Sequence, residues 1–330
     1  FDAENLHGPL NLYRTLQRNG ATSNSLVMGP WAHGEWSWTD GSRLGPVTFG
    51  GATTFAFREQ VELPFLRFHL NADTKQQWPK ALVFETGTSK WQAFDTWPPR
   101  NVRQEALHLR ANGALVLGEG GVAAATASFD EFVSDPARPV PFSAVSTQRM
   151  TRSYMVEDQR FAAARPDVLV YQSEVLDVDV TLAGPMTADL LVSTTGTDAD
   201  WIVKVIDVYP NDSPASADDD RSMGGYQQLV RGEPFRSRFR DGFDKPRALL
   251  ANQPTRIKFD LPDVFHTFRR GHRIMVQIQS SWFPLIDRNP QTFVTIADAQ
   301  PADYRKAAQR VFHSSAEGSK LIVGVLRNAL

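Results

Sequence analysis

The chain has no cysteine in 330 residues. That excludes disulfides, a thiolate nucleophile and cysteine-bound zinc, and it leaves the compartment open. An excess of either charge is also missing. Lys and Arg number 35 against 37 Asp and Glu, a formal net charge of -2, so there is no electrostatic case for nucleic acid or for an anionic membrane surface. No run approaches the roughly 20 apolar residues that span a bilayer, so no membrane partner is expected. No signal peptide opens the sequence, which is uninformative for a chain that starts on Phe1. No internal repeat of fixed period occurs, and no serine sits in a G-x-S-x-G elbow. What is plentiful is 8 Trp, 21 Phe and 21 Pro. Those numbers suit a large β-rich core with many turns rather than a helical bundle. The length fits two domains better than one.

Periodicity divides the chain into two textures. Residues 8–18 predict a helix, with Pro9 in the first turn, Leu10, Tyr13 and Leu16 at helical spacing, and Asn19-Gly20 as the stop. Ser25 to Met28 reads as a short buried strand broken by Gly29-Pro30, and residues 35–54 read as irregular loop. Helical spacing returns from Phe55 to Leu70, with a kink expected at Pro64. From about residue 78 short alternating strands take over, from Ala81–Phe84 and Trp91–Phe94 through Trp201–Val208 and Arg273–Gln279 to Lys320–Leu326. Asn211 to Gly225, polar and acidic, is the expected disordered segment.

Chemistry concentrates at the start. His33 lies in Gly29-Pro30-Trp31-Ala32-His33-Gly34, directly after the short strand, and Asp2 follows an aromatic residue. A carboxylate that orients an imidazole is two thirds of a hydrolase triad, and in α/β-hydrolases the chain order is Ser, then acid, then His. An acid followed by a His therefore places the expected nucleophile upstream of residue 1. From spacing alone the plainer readings stand beside this one: His33 as a loop packing residue and Asp2 as a helix cap. Trp31, Trp36 and Trp38 flank His33 and fit either an acyl pocket or simple loop packing.

The residues FDAENLHGPL and LVMGPWAHGEW resemble the end of the catalytic domain in a family of serine hydrolases. That family contains α-amino-acid ester hydrolases, glutaryl 7-aminocephalosporanic acid acylases, cocaine esterase and X-Pro dipeptidyl-peptidases. Three later stretches resemble its C-terminal β domain: Trp91 to Pro99, Arg165 to Tyr171, and His266 to Arg273 followed by Ser280 to Pro284 and Asp287-Arg288-Asn289. The resemblance implies acyl transfer at an ester, amide or short peptide, with His33 as base, Asp2 orienting it, and an absent serine as nucleophile. It implies substrate contacts from Glu4 and Asn5, which stand where the amino-acid ester hydrolases carry Glu and Asp around the substrate ammonium. Asn5 offers a carbonyl without charge, which weakens that attraction. Glu4 and Asn5 fit equally well as the opening of the helix.

The fold class expected is mixed: residues 1–75 as the C-terminal segment of an α/β-hydrolase domain, and residues 76–330 as a jelly-roll β-sandwich. No cofactor and no metal are expected. The partners implied are a small substrate, an upstream catalytic segment carrying the serine, and a further copy of the chain in a homo-oligomer. By resemblance alone, location is secreted or periplasmic. The competing reading is a non-catalytic jelly-roll module for binding or oligomerisation. Elsewhere the expectations are structural. His266, His272 and Arg269-Arg270 read as a turn and packing element, and Asp287-Arg288-Asn289 as a polar knot. Asp218-Asp219-Asp220 reads as a solvated loop. Arg231, Arg236, Arg238 and Arg240, alternating with Phe235 and Phe239, read as a solvent-facing strand.

Overall fold

The computed structural model describes residues 1, 6–21, 23–71, 78–118, 128–147, 149–216, 222–313 and 318–327. Two large β-sheets packed face to face dominate it. Elements in chain order are α1 (His7–Arg18), β1 (Leu26–Met28), β2 (Arg43–Leu44), β3 (Val47–Thr48), α2 (Thr53–Phe57), α3 (Leu63–Asn71), β4 (Ala81–Glu85), β5 (Lys90–Phe94), β6 (Val102–Leu109), β7 (Leu115–Leu117), β8 (Phe129–Ser134), α4 (Arg160–Ala163), β9 (Val168–Gln172), β10 (Val180–Thr194), β11 (Asp200–Val208), β12 (Gln227–Arg236), β13 (Thr255–Phe268), β14 (Arg273–Gln279), β15 (Ala307–Phe312) and β16 (Lys320–Leu326).

The larger sheet is built around β10. One edge of β10 pairs antiparallel with β13; the other pairs with β16 over its first half and with β15 over its end. Sequence punctuation at Gly184-Pro185 reads as a break between two strands, yet β10 runs through it as one strand with a register shift between Gly184 and Met186. Gly184 takes φ +93° there, and the Pro98 ring fills the space a Cβ would need. The second sheet has the order β12-β11-β14-β9. Leu107, Leu190, Trp201, Val203, Val276 and Leu321, drawn from both sheets, meet in the central core.

β11 is buried on both faces, which explains why it is apolar apart from Asp200, Lys204 and Asp207, each of which has a buried partner. Its odd-numbered residues face the other sheet. Ile202 and Ile206 face outward and are covered by Phe142, Tyr154 and Trp282. The segment around Tyr154 is thus a strap across the outer face. Beneath it lies Lys204, fully buried, with Nζ donating to Gln159 Oε1 at 2.9 Å and lying 5.0 Å from the Trp282 ring centroid.

A three-stranded sheet, β1-β4-β5, joins the N-terminal residues to this sandwich. β1 pairs parallel with β4, and β4 antiparallel with β5. Its seam with β13 is specific. Thr86 forms a backbone bridge with His266, and its hydroxyl lies 2.8 Å from His266 Nδ1. His266 Nε2 reaches Asp207 Oδ2 at 3.1 Å, and His272 Nδ1 reaches Asp207 Oδ1 at 2.8 Å. Burial works to raise the Asp207 carboxyl, but those two bonds outweigh it and hold the group below its ordinary value. Gly87 (φ +88°) lets the next turn approach β13, since a Cβ there would lie 2.1 Å from the Thr267 carbonyl oxygen. α1 docks on the same seam through Leu6, Leu10 and Tyr13, which pack with Trp97 and Phe265, while Asp263 pairs with Arg14 and accepts from Trp97 Nε1 at 2.6 Å.

Several expectations need correction. His266 lies within β13 rather than in a turn. The arginines of 231–240 do not face solvent freely. Arg238 is buried against Asp198, Arg236 pairs with Asp200 and Asp287, Arg231 Nε donates to the Asp263 carbonyl at 2.7 Å, and Arg240 donates to the Ala248 carbonyl at 2.9 Å. The buried carboxylates of Asp198 and Asp200 draw Arg238 and Arg236 inward, and the backbone carbonyls of Asp263 and Ala248 hold Arg231 and Arg240, partners invisible in local spacing. Asn289 joins the same knot, donating to Asp198 and Asp200 at 3.0 and 2.7 Å. In the segment expected to be disordered, Ser216 is buried and donates to the Pro46 carbonyl at 2.9 Å, and Met223 is buried. Asp218, Asp219 and Asp220 lie outside the described residues.

Candidate active site

β1 ends at Met28, and the chain enters a tight loop that carries His33. Three devices fix it. Glu35 is buried and its Oε2 accepts the Ala32 N–H at 2.9 Å, closing a ring around His33. Gly34 takes φ +75°, a conformation glycine adopts without a Cβ penalty. Gly41 passes so close to Thr53 and Thr54 that a Cβ would clash, and its carbonyl accepts the Thr53 hydroxyl at 2.6 Å.

The helix that follows braces the loop. α2 and α3 form one continuous helical segment interrupted by a π turn at Arg58–Glu62. Pro64 explains the position of the turn: it has no N–H to offer, and its ring excludes the carbonyl four residues back, so the preceding turn widens. Arg58 donates to the Ser37 carbonyl, tying helix to loop.

His33 is half-buried and lines a cleft of about 640 Å³ with Glu35, Leu44, Gly45, Met150, Arg152, Ser153 and Met155. One wall is therefore the His33 loop, and the facing wall is the strap from the sandwich half. Below the loop, Phe1 and Ala32 pack in a single apolar cluster with Leu44, Phe49, Phe84 and Val156. The chain neighbours of Asp2 and of His33 thus share one cluster.

Asp2, Glu4 and Asn5 lie outside the described residues. Trp31 is buried beneath the loop, with Nε1 donating to Thr53 Oγ1 at 2.8 Å and its ring against Phe57 and Trp91 at 5.1 and 5.8 Å. Trp36 is half-buried on the turn Glu35–Ser37. Neither is among the residues lining the cleft. Glu35 and the strap residues Met150, Arg152 and Met155 were not anticipated. Glu35 carried a faint signal in its position three residues after Ala32; the strap residues, well over 100 positions away, carried none.

A second groove, of about 550 Å³, shares Met150 and Met155 with the cleft and continues between α1 and β12. Glu233 lines it, and burial pushes that carboxyl up to about 7. Among the described residues no group of three or more His, Asp or Glu side chains is placed to hold a metal ion.

The fold is a two-sheet β-sandwich to which a small sheet carrying the His33 loop is joined, with an open cleft between that loop and the Tyr154 strap. Residues 73–322 match the X-Pro dipeptidyl-peptidase C-terminal non-catalytic domain, and the chain belongs to that family. It is similar to a cocaine esterase of Rhodococcus sp. (strain MB1 Bresler), at 29% identity over 311 residues, covering 92% of this chain and 51% of that protein. Among solved structures it resembles an aminopeptidase from a marine sediment archaeon, Thaumarchaeota archaeon, with TM-score 0.92 and 40% identity over 99% of this chain and 54% of the other. It also resembles an α-amino acid ester hydrolase, with TM-score 0.90 and 38% identity over 98% of this chain and 54% of the other. The chain spans about half the length of the curated relatives it matches. Those relatives are serine esterases and hydrolases, as the resemblance implied.

Proposed function

We propose that this chain is the acid- and base-bearing half of a serine hydrolase that cleaves ester or amide bonds. Residues 1–75 complete an α/β-hydrolase domain, and residues 76–330 form a jelly-roll module docked on it. His33 takes the proton of a serine supplied by an upstream segment and later gives it to the leaving group, while Asp2 holds the imidazole in the required tautomer. Glu4 and Asn5 contribute to substrate binding, with Asn5 lowering any demand for a cationic acyl group.

The observation that carries this reading is the shared packing of Phe1 and Ala32, which tethers the neighbours of Asp2 and His33 in one cluster at an open cleft. Further support comes from β1. It is a parallel strand at the end of its sheet, and its second edge has no strand partner among the described residues. Leu12 and Leu16 of α1 and Phe55, Leu63, Leu66 and Leu70 of the later helix stay exposed, an apolar surface suited to burial under another part of the same enzyme.

In the full-length polypeptide, His33→Ala and Asp2→Asn are expected to lower turnover of a p-nitrophenyl ester by about a thousandfold or more, with the circular dichroism spectrum unchanged. The 330-residue chain by itself is expected to show no turnover. A fluorophosphonate probe that labels a serine within these residues, accompanied by ester turnover, refutes the proposal.

A further inference from the structure

Arg152 is the cationic side chain among the residues lining the His33 cleft, and it comes from the sandwich half rather than from the hydrolase-like half. Its guanidinium carbon lies 4.6 Å from the Trp38 ring centroid. Stacking occupies one face of the guanidinium and leaves its in-plane N–H donors available. Among the described residues no carboxylate forms an ion pair with it. Glu35, the carboxylate that shares the cleft lining, is already committed to the Ala32 N–H. Arg152 and the Trp38 ring it stacks on are both exposed, so the guanidinium edge is open to a solute and its charge pairing has the modest, salt-sensitive strength found at surfaces.

A stacked guanidinium with an open edge matches a planar, two-oxygen acceptor better than a neutral dipole or an amine. We propose that Arg152 is a specificity residue that recognises a carboxylate carried by the substrate, on either side of the scissile ester or amide. The inference rests on the hydrolase reading above and deepens it by naming a substrate class. Trp38 is the positioning residue: its ring sets the plane in which the guanidinium edge is presented.

The test uses the full-length enzyme and two matched pairs of esters. On the acyl side, mono-p-nitrophenyl glutarate is compared with p-nitrophenyl pentanoate; on the leaving-group side, the butyrate ester of p-hydroxybenzoate is compared with phenyl butyrate. The readout is the anionic-to-neutral ratio of kcat/KM. Arg152→Ala is expected to lower that ratio about fivefold in one pair, mainly through KM, and the pair affected identifies the side that carries the carboxylate. Arg152→Lys recovers part of the loss, Arg152→Glu lowers the ratio further, and about 0.5 M NaCl moves the wild-type ratio toward that of the alanine variant. A ratio that no Arg152 substitution changes in either pair overturns the proposal, including the case in which both members of a pair slow equally. Failure of the hydrolase reading looks different: neutral esters are then turned over equally well by the wild type and by His33→Ala, or by neither.

Discussion

Replacing Lys204 by methionine is expected to reverse its effect on stability between pH 6 and pH 10. The ammonium is fully buried under the strap, and burial lowers its pKa from 10.5 to about 7 despite the nearby Glu157 carboxylate, which draws it upward. The folded value lies below the unfolded one, so the unfolded chain binds the extra proton between pH 7 and 10.5. Wild-type stability therefore rises with pH across that window. Below pH 7 both states are protonated and the folded state bears the whole penalty. A displacement of about 3.5 pH units corresponds to about 5 kcal/mol. Methionine keeps the length of the stem and removes the charge, but it leaves Gln159 Oε1 without its donor, at a cost of about 1–3 kcal/mol. The net expectation is a gain of about 2–4 kcal/mol at pH 6 and, because the unfolded lysine is still partly protonated and about 1 kcal/mol of the penalty persists, a loss of up to about 2 kcal/mol at pH 10. Urea unfolding of both proteins, followed by circular dichroism in steps across that range, measures the difference, and contributions common to the two cancel. A variant that differs from wild type by the same amount at every pH refutes the argument.

Two further substitutions address the seam that moors the small sheet. Asp207→Asn is expected to cost about 3 kcal/mol at pH 7, because the two histidines lose a shared buried carboxylate. The folded Asp207 carboxyl lies below its unfolded value, so the wild-type advantage is complete above about pH 4 and lost as pH falls through the folded value. Acid unfolding curves of the two proteins converge if this is right. Gly87→Ala is expected to destabilise by about 1–3 kcal/mol, since its Cβ collides with the Thr267 carbonyl and φ +88° disfavours a side chain. An unchanged thermal midpoint rules that out.

Local pattern revealed much of this molecule. The helix at 8–18 and the strands near 26–28, 81–84, 91–94, 201–208, 273–279 and 320–326 form close to where spacing and punctuation put them. Elements whose partners are remote were harder to see. The strand at the arginines was expected, but not its burial, because the partners Asp198, Asp200 and Asp263 come from other parts of the chain, and β10 was obscured by a Gly-Pro pair that serves as a bulge. The site was half legible. The Gly-Pro-Trp-Ala-His loop marked His33 directly, whereas the strap that faces it has no period and no motif. Its role exists only because Phe142 and Tyr154 cover the outer face of β11 and carry Arg152 toward the loop.

The pairing of β1 with β4 has a practical consequence. A polypeptide trimmed to residues 73–322, the stretch the family match covers, keeps β4 and β5 but sheds the parallel neighbour and the helix whose leucines shield Trp97 and Phe265. Such a fragment presents a bare strand edge beside a greasy floor, the combination that drives chains to stick together. For anyone expressing the sandwich, the useful cut lies ahead of α1, even though the recognisable family signal starts some 70 residues later.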